Sequence, residues 1–213
     1  MRLRGRSRPS SRPSFRPGPE LALVALVVAA ACATGRLPAP GVAEKARAAT
    51  SWSGSLRVSV RGQDLRGRSQ ALVAFQRPDA MRIEIPGPSG VRLVAVARAD
   101  RLTAVLPADR ARLESAAGRG DFEALLGVAL SPGELMDVLL GIAPATARSY
   151  QADWGLALPR RVRAELVDGT KFDARVDAAE AGVSLPAAAF DPPACEGCRE
   201  IDANKARRLL TAR

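Results

Sequence analysis

The sequence predicts a mainly β fold of the α+β class: a strongly curved antiparallel sheet with short helices laid over its open face. Three observations predict it. Apolar residues recur at every second position in short runs up to residue 114, two stretches between 121 and 141 have helical spacing, and alternating runs return after Pro144. Short strands joined by tight turns are typical of an antiparallel meander rather than of alternating strands and helices.

About six strands are predicted in the first half of the chain. In the segment 53–61, Leu56, Val58 and Val60 alternate with polar residues, which is the pattern of a half-buried strand. Turns such as Arg77-Pro78-Asp79 separate this run from the next ones. The further strand candidates are 69–76, 81–85, 91–97, 102–106 and 110–114.

The middle of the chain has helical periodicity. Residues 121–130 carry apolar side chains at helical spacing, and Ser131-Pro132-Gly133-Glu134 predicts a capping box with proline at the first helical position. The apolar stripe that follows, from Leu135 to Leu140, ends at Gly141. We expect about four strands after this helix, at 149–153, 158–167, 172–176 and near 183–190.

The first 31 residues have the three zones of a bacterial export signal. Six arginines precede an uncharged apolar segment, 21–31, which is well short of the roughly 20 residues that span a bilayer. Small residues then lead into Cys32, which resembles the acylated cysteine of bacterial lipoproteins, with Ala29 where leucine is usual. Ordinary cleavage after the Ala29-x-Ala31 pattern is the alternative.

The chain therefore divides into four parts. Residues 1–31 are the predicted signal peptide, 32–50 the lipidated cysteine and a flexible Ala- and Pro-rich tether, 51–190 the folded domain, and 191–213 a tail with a short, loosely held terminal helix. The leader accounts for +5 of the net charge of +10. The remaining basic residues are interspersed with acidic ones, and aromatic residues are few. These two features together exclude a nucleic-acid-binding protein.

Catalytic and metal-binding patterns are lacking in the sequence. The chain has no histidine, no glycine-rich phosphate loop and no carboxylates set apart as a pair, so we expect no enzyme, no metal and no cofactor. Cys195-Glu-Gly-Cys198 could form a local disulfide, a redox pair or half of a zinc site. An oxidising compartment favours a disulfide between Cys195 and Cys198.

Four segments of the chain together carry a resemblance to a known family, and they occur in that family's order. They are 53–60, 81–90, 121–127 with 139–141, and 158–163. Over residues 51 to about 176 the chain resembles the LolA/LolB-like lipoprotein family, and in particular its outer-membrane lipoprotein receptors. The family fold is an unclosed antiparallel β-barrel with a helical lid over a hydrophobic cavity. The resemblance implies that the chain binds acyl chains.

The resemblance also implies a set of site residues. The outer-membrane receptors of the family present an exposed leucine in a loop that here is Pro88-Ser89-Gly90, the candidate membrane loop. Ser89 offers little apolar area to a bilayer, which weakens an insertion role more than a binding role. The candidate cavity lining consists of Leu56, Val58, Val60, Phe75, Met81, Ile83, Ile85, Leu93, Leu135, Leu139 and Leu140.

Two functions follow as expectations. The first is a monomeric lipoprotein, anchored in the outer membrane and facing the periplasm, that binds acyl chains of lipoproteins or lipids and receives them from a LolA-like periplasmic carrier. Ala33 favours the outer membrane because it is not the aspartate associated with inner-membrane retention. The alternative is a structural or accessory lipoprotein with a filled barrel that binds a protein partner. An open apolar cavity beneath the helix at 131–141 favours the first.

Overall fold

Ten strands and four helices make up the described part of this computed structural model, which covers residues 37–62 and 66–211. The strands are β1 Ser51–Arg61, β2 Arg66–Gln76, β3 Ala80–Gly87, β4 Gly90–Arg98, β5 Arg101–Leu106, β6 Ala111–Ala116, β7 Ala147–Trp154, β8 Pro159–Leu166, β9 Lys171–Ala181 and β10 Arg199–Glu200. The helices are α1 Val42–Arg47, α2 Arg119–Leu126, α3 Pro132–Leu139 and α4 Ala203–Thr211. Short 3₁₀ turns lie at Pro107–Asp109 and Ala187–Phe190.

All ten strands belong to one sheet, in the order β10-β6-β5-β4-β3-β2-β1-β9-β8-β7. Neighbours pair antiparallel, except that β10 runs parallel to β6. The outermost strands β7 and β10 do not pair with each other, so the sheet stays unclosed. The predicted fold class, a curved antiparallel sheet with short helices, is confirmed.

The two faces of the sheet differ because the side chains of each strand alternate. On β1, Trp52, Leu56 and Val60 are buried on the inner face, whereas Arg57 and Arg61 are exposed on the outer face. Between Ser55 and Leu56 the register with β9 shifts, as in a β-bulge, which bends and twists a strand. The helices α2, α3 and α4 cover the inner face with the buried side chains of Phe122, Leu125, Met136, Leu139 and Ala206.

A smaller apolar cluster lies on the outer face. Val94 and Val96 of β4 point away from the main core and are covered by Phe190, which is 2 % exposed. The sequence predicted a strand near 183–190, and that prediction is wrong. The segment forms a loop and a 3₁₀ turn. Its apolar side chains pack on the outer face of β4, and its backbone does not pair with a strand.

Both ends of the described chain are more ordered than the sequence suggested. The expected flexible tether contains α1, whose Ala46 is 3 % exposed, since an alanine-rich segment also favours a helix. The expected loose tail is docked: β10 joins the sheet, and α4 buries Ala203 and Ala206. Small side chains allow this close packing. All described residues belong to one compact unit.

The predicted signal peptide and the lipidated Cys32 lie outside the described residues. Within the ranges 37–62 and 66–211, no helix has both the length and the apolar character needed to cross a membrane.

Candidate functional site

An apolar cavity of about 210 Å³ lies between the inner face of the sheet and the helices. Strands β1, β2, β3 and β9 form its floor, and α2, α3, α4 and the segment between α2 and α3 form its roof. The apolar floor residues are Leu56, Val58, Val60, Ala71, Val73, Ile83, Ile85 and Phe172. The apolar roof residues are Phe122, Leu125, Leu126, Val128, Leu130, Leu135, Leu139 and Leu210.

The cavity exists because inner-face side chains of β2 change steadily in size. From the start of the strand they are Gly67, Ser69, Ala71, Val73 and Phe75, and they lie opposite alternate residues of β1. Small side chains at one end leave space above the sheet, whereas the phenyl ring at the other end fills it. The cavity therefore lies at the end of the interior where β2 begins.

The cavity opens where β2 and β3 stop pairing. The β2–β3 ladder runs from Leu72 to Gln76, and residues 66–71 of β2 have no partner on β3. Gly67 and Arg68 line the cavity here and are exposed, so the cavity reaches the surface at this point. A ligand could enter between this edge and helix α4.

Three arginines line the cavity, and Arg68 lies at its mouth. Arg68 of β2, Arg92 of β4 and Arg207 of α4 all line the cavity, and no aspartate or glutamate within residues 37–62 and 66–211 does. Arg92 donates a hydrogen bond to the carbonyl oxygen of Leu210 in the last turn of α4. The stem of Arg92 crosses β3 at Gly87, where an added Cβ would lie only 2.4 Å from Arg92 Cγ. Glycine at position 87 thus leaves room for the Arg92 side chain.

Hydrogen bonds and ion pairs hold the roof helix α3. Its N-terminus has the predicted capping box, in which Ser131 accepts from the Glu134 N–H and Glu134 accepts from the Ser131 N–H. Tyr150 of β7 donates its hydroxyl to the Val138 carbonyl at 3.0 Å, and burial raises the pKa of this phenol. The hydrogen bond from Tyr150 holds α3 against β7, the edge strand next to β8.

The C-terminal segment holds α4 over the mouth. Cys195 and Cys198 form a disulfide with Cα atoms 5.6 Å apart, just before β10. The Arg199 and Ile201 N–H groups then donate to carbonyl oxygens of β6 and the residue before it, at 2.9 Å each. The Asp202 carboxylate accepts from the Lys205 N–H at 2.7 Å and so caps the first turn of α4.

Seven of the eleven predicted cavity residues line the cavity, and four do not. Phe75, Met81, Leu93 and Leu140 are at most 1 % exposed and belong to the solid part of the core. Phe75 and Met81 are paired across β2 and β3 at the filled end of the interior. The seven that do line the cavity are Leu56, Val58, Val60, Ile83, Ile85, Leu135 and Leu139.

The cavity residues that the sequence interpretation missed lie on β2, β4, β9, α2 and α4 and in the segment between α2 and α3. The helical spacing of 121–130 was visible, but nothing in it indicated that Phe122 and Leu125 face the cavity. The candidate membrane loop Pro88-Ser89-Gly90 is an exposed turn between β3 and β4, outside the cavity. Gly90, with φ of 124°, adopts a backbone conformation that favours glycine.

A polar groove of about 950 Å³ runs along the outer face of β2, β1, β9, β8 and β7. Seven cations and two carboxylates line it, and it shares Val58, Arg68, Ser69 and Phe172 with the cavity lining. Arg161 pairs with Asp173 at 2.6 Å. The hydrogen bond from Arg161 lowers the pKa of Asp173 despite desolvation, and the charges of nearby arginines add to this effect. The cations are Arg57, Arg61, Arg68, Arg161, Arg163, Lys171 and Arg175.

Among residues 37–62 and 66–211 no group of three or more His, Cys, Asp or Glu side chains could hold a metal ion.

Comparisons with known proteins give a likeness in fold. No protein-family model and no curated protein sequence matches this chain. A LolA superfamily protein from Nitrosomonas europaea is similar, at 10 % identity and a TM-score of 0.46, over 73 % of this chain and 98 % of that one. A DUF1329 family protein from Desulfovibrio piger is similar at 11 % identity and a TM-score of 0.45, over 70 % of this chain and 92 % of that one.

Proposed function

We propose that this chain is a lipid-anchored envelope protein that takes an acyl chain of a lipoprotein or lipid into its cavity. The observation that supports this proposal most directly is an apolar cavity of about 210 Å³ under α3 that reaches the surface beside β2. Its floor and roof are almost entirely aliphatic or aromatic. The activity that we propose for this mainly apolar lining is binding of the ligand without catalysis.

The energetics fit an acyl ligand. Each methylene group moved from water into an apolar site contributes about 0.8 kcal/mol, so even part of a fatty chain gives useful affinity. Sites for drug-sized ligands usually measure about 300–1,000 Å³, which is larger than this cavity. We therefore expect the roof helices to move outward as a long chain enters, with Leu126 and Leu135, which are partly buried, moving first.

The cellular role that we propose is delivery or reception of lipoproteins at the outer membrane. It rests on the leader, on Cys32 as the acylated residue, and on the family resemblance of residues 51–176. The chain would act as a monomer facing the periplasm and would receive its ligand from a LolA-like carrier. Because Ser89 occupies the exposed β3–β4 turn in place of leucine, we expect binding rather than deep membrane insertion through this turn.

A structural or accessory role is the competing proposal, and one observation favours it. The interior is solid around Phe75, Met81, Leu93 and Leu140, so part of the barrel is filled. A scaffold protein needs no empty space, however, and a cavity in its core lowers its stability. A cavity that is retained at one end is easier to understand as a ligand site.

Blocking the cavity tests the binding proposal. Val58 is partly buried on the cavity floor, and a Val58→Phe variant would fill the space with a ring. Val91→Phe is the matched control, since Val91 is 38 % exposed on β4 and does not line the cavity. Each full-length chain is expressed with its own leader, purified from bacterial envelopes and extracted for lipid, which mass spectrometry quantifies.

We expect the wild type and the Val91→Phe control to carry lipid beyond any covalent anchor. The Val58→Phe variant should carry at most a tenth of that amount while its thermal unfolding stays close to that of the wild type. Equal lipid content in all three proteins, or none in the wild type, would contradict the proposal and leave the accessory role.

A further inference from the structure

The mouth of the cavity has a charge pattern that acyl-chain binding alone does not explain. Arg68, Arg92 and Arg207 come from three distant segments of the chain, and all line one apolar cavity. Within residues 37–62 and 66–211, no carboxylate forms an ion pair with any of them. Nearly every other interaction around this cavity is apolar.

Two of these arginines are partly buried, which makes the unbalanced charge costly. Arg92 and Arg207 are of intermediate exposure, while Arg68 is exposed on the unpaired edge of β2. A guanidinium beside an apolar lining loses hydration and gains from any anion that approaches it. Among the described residues, an anion at the mouth would therefore balance this charge.

The outer groove strengthens the positive field at the same point. It meets the cavity lining at Arg68, and its seven cations exceed the two carboxylates that line it. Arg61 and Arg175 form no ion pair with any carboxylate in the described part of the chain. A surface dominated by one sign of charge raises the local concentration of opposite charge.

From this geometry we infer that the ligand is an amphiphile with an anionic head, whose tail occupies the cavity while its carboxylate or phosphate is held by Arg68, Arg92 and Arg207. This inference rests on the proposed acyl binding and names the class of ligand. The planar guanidinium fork matches both oxygens of a carboxylate or two oxygens of a phosphate. A neutral acyl alcohol or glyceride offers no charge to these groups.

Three ligands with the same monounsaturated C18 chain separate the contribution of the head group to binding affinity from that of the tail. They are oleate, oleoyl lysophosphatidate and oleyl alcohol, each used to displace N-phenyl-1-naphthylamine, a neutral fluorescent probe of apolar sites, from the full-length chain expressed with its own leader. Because charge-assisted hydrogen bonds are strong, we expect at least one anionic ligand to bind about tenfold or more tightly than oleyl alcohol. The tighter of the two anions identifies carboxylate or phosphate as the preferred head.

Neighbouring arginines on α4 supply a matched pair of variants. Arg207 lines the cavity, whereas Arg208 is exposed and does not. Arg207→Gln should weaken binding of the preferred anion about tenfold and change oleyl alcohol by less than twofold. Arg208→Gln should leave both affinities within twofold of the wild type. Arg92→Gln tests the second guanidinium, with thermal unfolding measured in parallel because Arg92 also bonds to Leu210.

The possible outcomes are distinct. If all three ligands bind the wild type equally, or if Arg207→Gln weakens the alcohol as much as the anion, the anionic head is disproved and acyl binding stands. If neither the probe nor any oleoyl ligand binds, acyl binding itself fails. Selective loss of the anion in Arg207→Gln alone supports the inference.

Discussion

The indole ring of Trp52 stacks on the phenyl ring of Phe75, with centroids 5.7 Å apart and planes within 5° of parallel. The two residues face each other across β1 and β2 and are 1 % and 0 % exposed. They fill the interior at the end opposite the mouth. The packed aromatic pair and the cavity therefore lie at different ends of the same pair of strands.

A Phe75→Leu variant should lose stability without losing ligand. Aromatic stacking contributes about 0.5–1.5 kcal/mol beyond burial, and the change of shape costs up to about 1.5 kcal/mol more. Urea unfolding should report a loss of about 1–3 kcal/mol, with unchanged oleoyl ligand affinity. Phe172→Leu, on the cavity floor, is the comparison and should alter affinity as well. Weaker ligand binding in Phe75→Leu would place the pocket at the wrong end of the interior.

Gly141, directly after α3, should be intolerant of any side chain. Its φ is 81°, and an added Cβ would lie 2.5 Å from Cζ2 of Trp154. Gly169 has a similar φ of 86° but no atom within 4 Å of its Cβ position, so it isolates the backbone cost. Gly169→Ala should cost about 1–2 kcal/mol. Gly141→Ala should cost clearly more in the same urea titration, and equal costs would contradict the contact with Trp154.

The local elements could be predicted because their signals are local. Alternation along β1 identified Leu56, Val58 and Val60 as one face, and that face lines the cavity. The motif Ser131-Pro132-Gly133-Glu134 identified the start of α3 to the residue, since a capping box depends on only four neighbouring positions.

The cavity could be predicted only in part because its shape depends on distant segments. Val58 and Phe75 both fit an alternating apolar strand, and alternation carries no information about which end of the strand is filled. That information appears only when the register sets Val58 opposite Ser69 and Trp52 opposite Phe75. The arginines of the mouth belong to β2, β4 and α4, and no sequence pattern links them.

The capping box of α3 should contribute measurably to stability. Ser131 accepts the Glu134 N–H at 3.3 Å, and its own N–H donates to the Glu134 carboxylate at 2.8 Å. Ser131→Ala removes the hydroxyl and should cost about 1 kcal/mol by thermal or urea unfolding. Ser149→Ala, at an exposed position of β7, is the control and should change stability by less than about 0.5 kcal/mol. An equally small effect of Ser131→Ala would show that the box is not stabilising.

Glu134 should make part of the stability dependent on pH. Burial alone would raise the pKa of Glu134, but hydrogen bonds from Ser131 and the ion pair with Arg119 together lower it below its ordinary value of 4.5. Because the folded protein binds this proton less readily than the unfolded chain, the contribution is complete above about pH 4.5 and is lost as the pH falls through the folded pKa.

Urea unfolding of the wild type and Glu134→Gln at pH 7, 5, 4 and 3 measures this contribution. The variant should be less stable at pH 7 and pH 5, and the difference should narrow at pH 4 and pH 3, where the wild-type carboxylate becomes protonated. Arg119→Gln removes the guanidinium whose Nη2 lies 2.7 Å from Glu134 Oε1. The difference in stability between this variant and the wild type should be smaller than that of Glu134→Gln, and it should narrow over the same pH range. If the difference in stability between the wild type and Glu134→Gln stays constant from pH 7 to pH 3, the negative charge of Glu134 contributes nothing to stability. The side chain would then support α3 only through hydrogen bonds that do not require the charge.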